Sequence, residues 1–170
     1  MAKWNLDTTH SEVGFKVKHL MINNVKGQFK SFNIELQSEG DDFNSSSISF
    51  TADVASIDTS NEQRDQHLQS AEFFDIEKYP QISFKSTRYD GSVLEGNLTI
   101  KDVTKAVKLE VDFGGIAKDP WGNTKAGFTI TGKINRKDWG LNWNAALETG
   151  GVLVSEEVNI IAEIQLAKAQ

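Results

Sequence analysis

The sequence predicts an all-β protein whose antiparallel strands close over one core. Three observations carry that expectation. Apolar and polar residues alternate with period two in about eight separate segments, the pattern of strands with one dry and one wet face. The connections are short and turn-like, with no long helical crossover, so neighbouring strands run antiparallel. Each strand has one apolar face, so the sheet must fold onto itself, either as a closed barrel of about eight strands or as a two-sheet sandwich.

The segments follow in order. In "SEVGFKVKHL", Val13, Phe15, Val17 and His19 share one face, and Glu12, Lys16 and Lys18 share the other. Next, Val25 and Phe29 stand on one parity and Phe32, Ile34 and Leu36 on the other. That slip predicts a bulge near Lys30 and Ser31, where a strand bends. "SISFTADV" aligns Ile48, Phe50, Ala52 and Val54, and "QISFKST" aligns Ile82 and Phe84. Asp90-Gly91 then reads as a hairpin turn into "VLEGNLTI", with Leu94, Leu98 and Ile100 in phase. "AVKLEVDF" aligns Val107, Leu109, Val111 and Phe113. After a turn-rich loop with Gly114, Gly115, Pro120 and Gly122, "AGFTITGKI" aligns Ala126, Phe128, Ile130, Gly132 and Ile134. "VNIIAEIQLA" closes the series with Val158, Ile160, Ala162, Ile164 and Leu166.

Residues 58–80 break the pattern. Ser60 followed by Gln63 fits a capping box, Ser70 could cap a second short turn, and Pro80 stops any helix. A short helical insertion is therefore expected around residues 60–74. Its adjacent Phe73 and Phe74 need cover, as a plug in one end of the core or as a lid over a pocket; packing makes the plug the simpler reading.

Composition narrows the function. At 170 residues the chain suits one domain or at most two small ones, and no internal repeat or linker is visible. Its net charge of −6, with no basic run, disfavours nucleic acid. No apolar run approaches the ~20 residues of a spanning helix, so the chain is not expected to span a membrane. The sequence opens without a leader, which favours a cytoplasmic location, or a periplasmic one if a leader was removed. The absence of Cys removes disulfides, thiolate metal sites and cysteine nucleophiles.

Catalytic signatures are missing too. The histidines, His10, His19 and His67, have no zinc-motif spacing, and no nucleophile elbow, phosphate loop or dinucleotide fingerprint is present. No metal, cofactor or catalytic group is therefore expected. Carboxylates such as Glu12, Glu35 and Glu110 sit at solvent parity. "INRKDWGLNWN" reads as a tight turn with an Arg136–Asp138 pair and buried indoles at Trp139 and Trp143, with a Trp at a ligand mouth as the alternative. His19 ends the first dry face, where it would bond nearby backbone or the insertion, for instance Asp65, or mark the polar end of a pocket. What remains is a container. A barrel of this size either fills with its own side chains or holds one small ligand, and the small inward residues Ala52, Ala126, Gly132 and Ala162 would leave room.

The chain resembles the YceI-like lipid- and polyisoprenoid-binding family over essentially its full length. The stretches that carry the resemblance are "WNLDTTHSEVGFKVKHL", "VKGQF", "SIDTSNEQRDQHLQSAEFFDIEKYPQISF", "GNLTIKDVTKAVKLEV" and "INRKDWG". The third is the most specific, with Arg64, Asp65, His67, Leu68, Phe73, Phe74, Tyr79 and Pro80 in the family's places. Asp102 and Ala106 depart from the family's usual Gly and Pro. The resemblance implies one domain over residues 1–170: a lipocalin-like, antiparallel, eight-stranded β-barrel enclosing an isoprenoid chain, such as a prenyl quinone or polyprenyl phosphate, or a fatty-acid-like lipid. It implies binding, transport or storage rather than a reaction, and a homodimer as one possible assembly. Within that container, strand parity assigns the ligand lining to Phe15, Val17, His19, Phe50, Phe84, Leu109, Phe128 and Ile160. The lid or mouth falls to Arg64, His67, Phe73, Phe74 and Trp139. Two other readings stay open: an isomerase or cyclase acting on a lipid, for which only His19, His67 and Arg64 could serve, and a packed structural barrel.

Overall fold

The computed structural model describes residues 2–19, 22–141 and 154–169. Strands β1 (Ala2–Leu6) and β2 (Glu12–His19) form one stave, kinked by the turn Thr8–His10. Strands β3 (Asn23–Phe29) and β4 (Phe32–Glu39) form the second, broken at Lys30 and Ser31, where the change of parity predicted a bulge. Then come β5 (Asp42–Asp53), the two-residue β6 (Ile57–Asp58), helix α1 (Glu62–Gln69) and β7 (Gln81–Tyr89). The chain ends with β8 (Val93–Ile100), β9 (Val103–Lys118), β10 (Thr124–Asn135) and β11 (Val154–Lys168).

Antiparallel neighbours run β4, β5, β7, β8, β9, β10, β11, and β1 pairs with both β4 and β11. This closes a ring of eight staves and decides for the barrel over the sandwich. Strand β2 carries the first stave onward along β11, with Phe15 opposite Ile160, and β3 lies on its other side. The Asp90 turn is the expected hairpin. Asp90 Oδ1 accepts from the amides of Ser92 and Val93 at 2.9 and 2.8 Å, and Gly91 takes φ +97°.

The up-and-down path sorts the connections to two ends. At one end lie the chain termini and the β4–β5, β7–β8 and β9–β10 hairpins. Aromatic side chains fill the barrel interior at this end. Trp4 is fully buried and donates its indole N–H to Ser38 Oγ at 2.9 Å. The rings of Trp4 and Phe128 stand 5.0 and 5.2 Å from that of Phe43, with Phe113 beside them. The Asp7 carboxylate, 2.6 Å from Lys125 Nζ, clasps the first stave to β10. The other end carries the β2–β3 hairpin, the excursion between β5 and β7, and the β8–β9 turn.

The excursion holds the expected short helix, with one correction. The cap of α1 is Asn61, whose Oδ1 accepts from Arg64 N at 3.0 Å, and not Ser60. Ser60 stands one residue earlier at φ +64°, so its side chain is not placed to cap. Ser70 ends the helix, and its carbonyl accepts from Phe73 N and Asp75 N, opening the turns that carry Phe73 and Phe74.

Candidate functional site: an apolar cavity under the helical excursion

At the excursion end the barrel is hollow. A cavity of about 520 Å³ opens there, within the usual range of small-molecule pockets. Its wall is apolar: Phe15 and Val17 from β2, Val25 and Phe29 from β3, Phe50 from β5, Ile82 from β7, Leu98 and Ile100 from β8, and Ile160 from β11. Phe15, Val17, Phe50 and Ile160 point inward yet stay only half-buried, because they face the void instead of other side chains. Leu68, Phe73 and Phe74 form the roof. Phe73 is buried, and Phe74 meets Phe29 edge-on at 6.4 Å, so these two rings both pack and cover the mouth.

Most polar groups among the described lining residues gather at that mouth. Arg64 donates through Nε to Thr59 Oγ1 at 2.8 Å and through its terminal nitrogen to Thr59 O at 2.6 Å. Asp65 accepts from Thr59 N at 2.8 Å and also from its hydroxyl, so the start of the excursion is a tight polar knot. His67 Nε2 lies 2.6 Å from Glu72 Oε2, and its ring stands edge-on to Phe73. Val54 N donates to Pro80 O at 2.9 Å, which ties the two ends of the excursion together.

Of the lining that parity assigned, Phe15, Val17, His19, Phe50 and Ile160 border this cavity, and of the lid residues assigned to the helical insertion, Arg64, His67, Phe73 and Phe74 border it too. Parity also pointed to residues that lie elsewhere. Phe128 belongs to the aromatic cluster at the packed end. Leu109 leans over Gly132, where a Cβ would stand 2.4 Å from its Cδ2. Phe84 shares a row with Phe50 and Leu98, but its ring turns onto Gly96 and away from the void. All three point inward. Parity reports which face a side chain takes but not its depth along the barrel axis. Trp139 is not at the mouth either: it is buried behind the wall and donates to Leu98 O at 2.9 Å. Trp143 lies outside the described residues.

His19 lines the cavity half-buried, and among the described residues nothing hydrogen-bonds its ring. The expected partner Asp65 is committed to Thr59. Sequence reasoning left Val25, Phe29, Ile82, Leu98 and Ile100 out of the lining, and it missed Arg136 as a cavity residue. Arg136 lines the cavity at 3% exposure and donates to the carbonyls of Leu141, Ser155 and Val154, the last two at 2.9 and 3.4 Å. Burial pushes its pKa down, and the nearby Glu156 carboxylate opposes that. The signal was present: Arg136 continues the Ile130, Gly132, Ile134 parity of β10 by one more step. Among the described residues no cluster of three His, Asp or Glu side chains could hold a metal ion. The arrangement can enclose an apolar chain along the barrel axis and leave a polar end at the mouth.

A family model described as a YceI-like domain matches residues 4–166. A UPF0312 protein of Staphylococcus epidermidis is 40% identical over 168 residues, 98% of each chain. The crystal structure of the Campylobacter jejuni YceI protein superposes with a TM-score of 0.76 at 34% identity, over 97% of each chain. A polyisoprenoid-binding domain from Saccharophagus degradans shares the fold at a TM-score of 0.73 and 12% identity, over 98% of each chain. An eight-stave barrel with a short helical excursion, matched over nearly its whole length, makes this chain a member of the YceI-like family.

Proposed function

We propose that this protein binds an apolar chain ligand, a polyisoprenoid such as a prenyl quinone or polyprenyl phosphate, or a fatty-acid-like lipid, for storage or transport. The observation that carries the reading is the predominantly apolar cavity of about 520 Å³, whose charged lining at Arg136 is buried and hydrogen-bonded to backbone carbonyls and whose other polar groups gather at the mouth. Apolar burial contributes about 25 cal/mol per Å², so a chain enclosed by Phe15, Val17, Phe50 and Ile160 binds without a single tail hydrogen bond. The headgroup stays at the mouth near His19, where desolvation is least costly. The name of the Saccharophagus degradans domain, polyisoprenoid-binding, agrees with a prenyl tail on the same fold. Binding without turnover is the simpler chemistry, since Arg64 and His67 are already engaged with Thr59 and Glu72.

The test is solvent extraction of the purified protein with mass spectrometry, followed by titration with tails of increasing length. A co-purified chain lipid is expected, with affinity rising until the cavity is full. Val17→Asp should abolish binding while the far-ultraviolet spectrum stays that of a β-protein. Equal affinity for short and long tails would overturn the reading, and conversion of the lipid would turn it into an enzyme.

A further inference from the structure

The chain carries a net charge of −6, yet residues 13–34 contain four lysines and no acid. That stretch takes in the β2–β3 hairpin at the open end of the barrel, apart from Glu12 at the start of β2, and runs on into β4. Lys30 pairs with Asp58 at 2.9 Å. Lys16, Lys18 and Lys26 form no ion pair among the described residues. All three are opposite in parity to Phe15 and Val17, which gives them the outer face, with Lys18 also bordering the cavity beside His19. Lys16 and Lys26 are direct register partners, an arrangement that destabilises a sheet, so the fold gains nothing from that pair. At the tip, beside His19 and the cavity mouth, Ile22 is 75% exposed. The neighbouring part of the mouth, which begins where β6 pairs with β3, has the opposite sign: the excursion carries Asp58, Glu62, Asp65, Glu72, Asp75 and Glu77 against Arg64 and Lys78.

We infer that the β2–β3 hairpin docks the open end of the barrel on an anionic lipid bilayer, with the acidic excursion turned away from the surface. Unpaired lysines above an exposed apolar tip are the groups that bind such a surface, through charge first and shallow insertion second. The two-signed mouth sets the orientation. It brings the hairpin side of the opening to the lipid and leaves the roof on the aqueous side, free to admit a chain. This inference rests on the proposed chain binding for its purpose, but its measurement does not.

The experiment is co-sedimentation of the full chain with phosphatidylcholine vesicles, with and without phosphatidylglycerol, at low and high salt. Binding is expected only with phosphatidylglycerol, falling as salt screens it. The pair Lys16→Gln and Lys26→Gln should lower the partition coefficient roughly 25-fold, about five-fold per charge near the surface. The same change at Lys85 and Lys118, on other staves, should leave it unaltered, and Ile22→Ser should weaken it separately. The Lys16→Gln, Lys26→Gln protein should keep or raise its thermal midpoint, since it loses a repelling pair, and should keep its affinity for a fluorescent acyl chain in solution, which excludes loss of fold. Equal binding to neutral vesicles would overturn the inference. So would an undiminished partition of that variant, or self-association in place of vesicle binding. Vesicle binding without chain binding would leave the docking surface and remove the proposed function; chain binding without vesicle binding would do the reverse.

Discussion

The ring of Phe15 lies across Gly27, its register partner on the next strand. A Cβ added at Gly27 would stand 2.3 Å from Phe15 Cζ and within 2.9 Å of both Cε atoms. The glycine is a recess that holds the ring flat against the wall and keeps the cavity open. Gly27→Ala should push the ring inward, destabilise the barrel by about 1–3 kcal/mol, and reduce affinity most for the longest tails. The double change Gly27→Ala, Phe15→Leu should restore much of the stability. Denaturant titration with a tail-length series checks both parts.

The packed end should answer separately from the hollow one. Trp4→Phe removes the indole donor from the buried Ser38 hydroxyl and thins the ring cluster, at a cost of about 1–3 kcal/mol. Thermal melting should show a drop of several degrees. Below that transition chain affinity should not change, because the cavity lies at the other end. A large affinity loss in the folded Trp4→Phe protein would mean that the two ends are coupled.

Acid should loosen the clasp at the β1–β2 kink. The Lys125 ammonium hydrogen-bonded to Asp7 holds that carboxyl far below the usual carboxylate range, against the opposing effect of burial, with His10 and Thr9 assisting. An unfolded Asp titrates near pH 4 (about 3.9). Below that pH the unfolded chain takes up a proton that the folded chain refuses, so this stabilisation is full above about pH 4 and fades as pH falls. Asp7→Asn should lose about 1–3 kcal/mol at neutral pH, by stranding the mostly buried Lys125 ammonium, and should show a flatter acid dependence. Stability curves of both proteins between neutral pH and pH 2 test the sign.

His19 should decide headgroup preference. Its ring faces the cavity without a hydrogen bond among the described residues, so it contributes little to the barrel's own network. His19→Leu should keep affinity for a bare tail and lose roughly ten-fold for a tail with a hydrogen-bonding headgroup, the value of one good polar contact. His19→Gln should retain part of that preference. An unchanged ratio between the two ligands in folded His19→Leu protein would remove the residue from the headgroup site.

The sequence by itself determined the staves. Alternation in eight segments, the slip at Lys30 and Ser31, the Asp90-Gly91 turn and the excursion ended by Pro80 were all legible, because strand faces and turns are set by residues close in the chain. Trp4 was not assigned: it lies in the short first strand, and its burial depends on Phe43 and Ser38, far along the chain. Depth was invisible as well. Phe15, Phe84 and Phe128 look alike in a period-two pattern, and only the closed ring places Phe15 in the void, Phe84 on Gly96 and Phe128 in the ring cluster. The tertiary structure alone decided where the barrel is hollow. A cavity is what remains when side chains from staves distant in sequence fail to meet, and no local pattern of one strand records that.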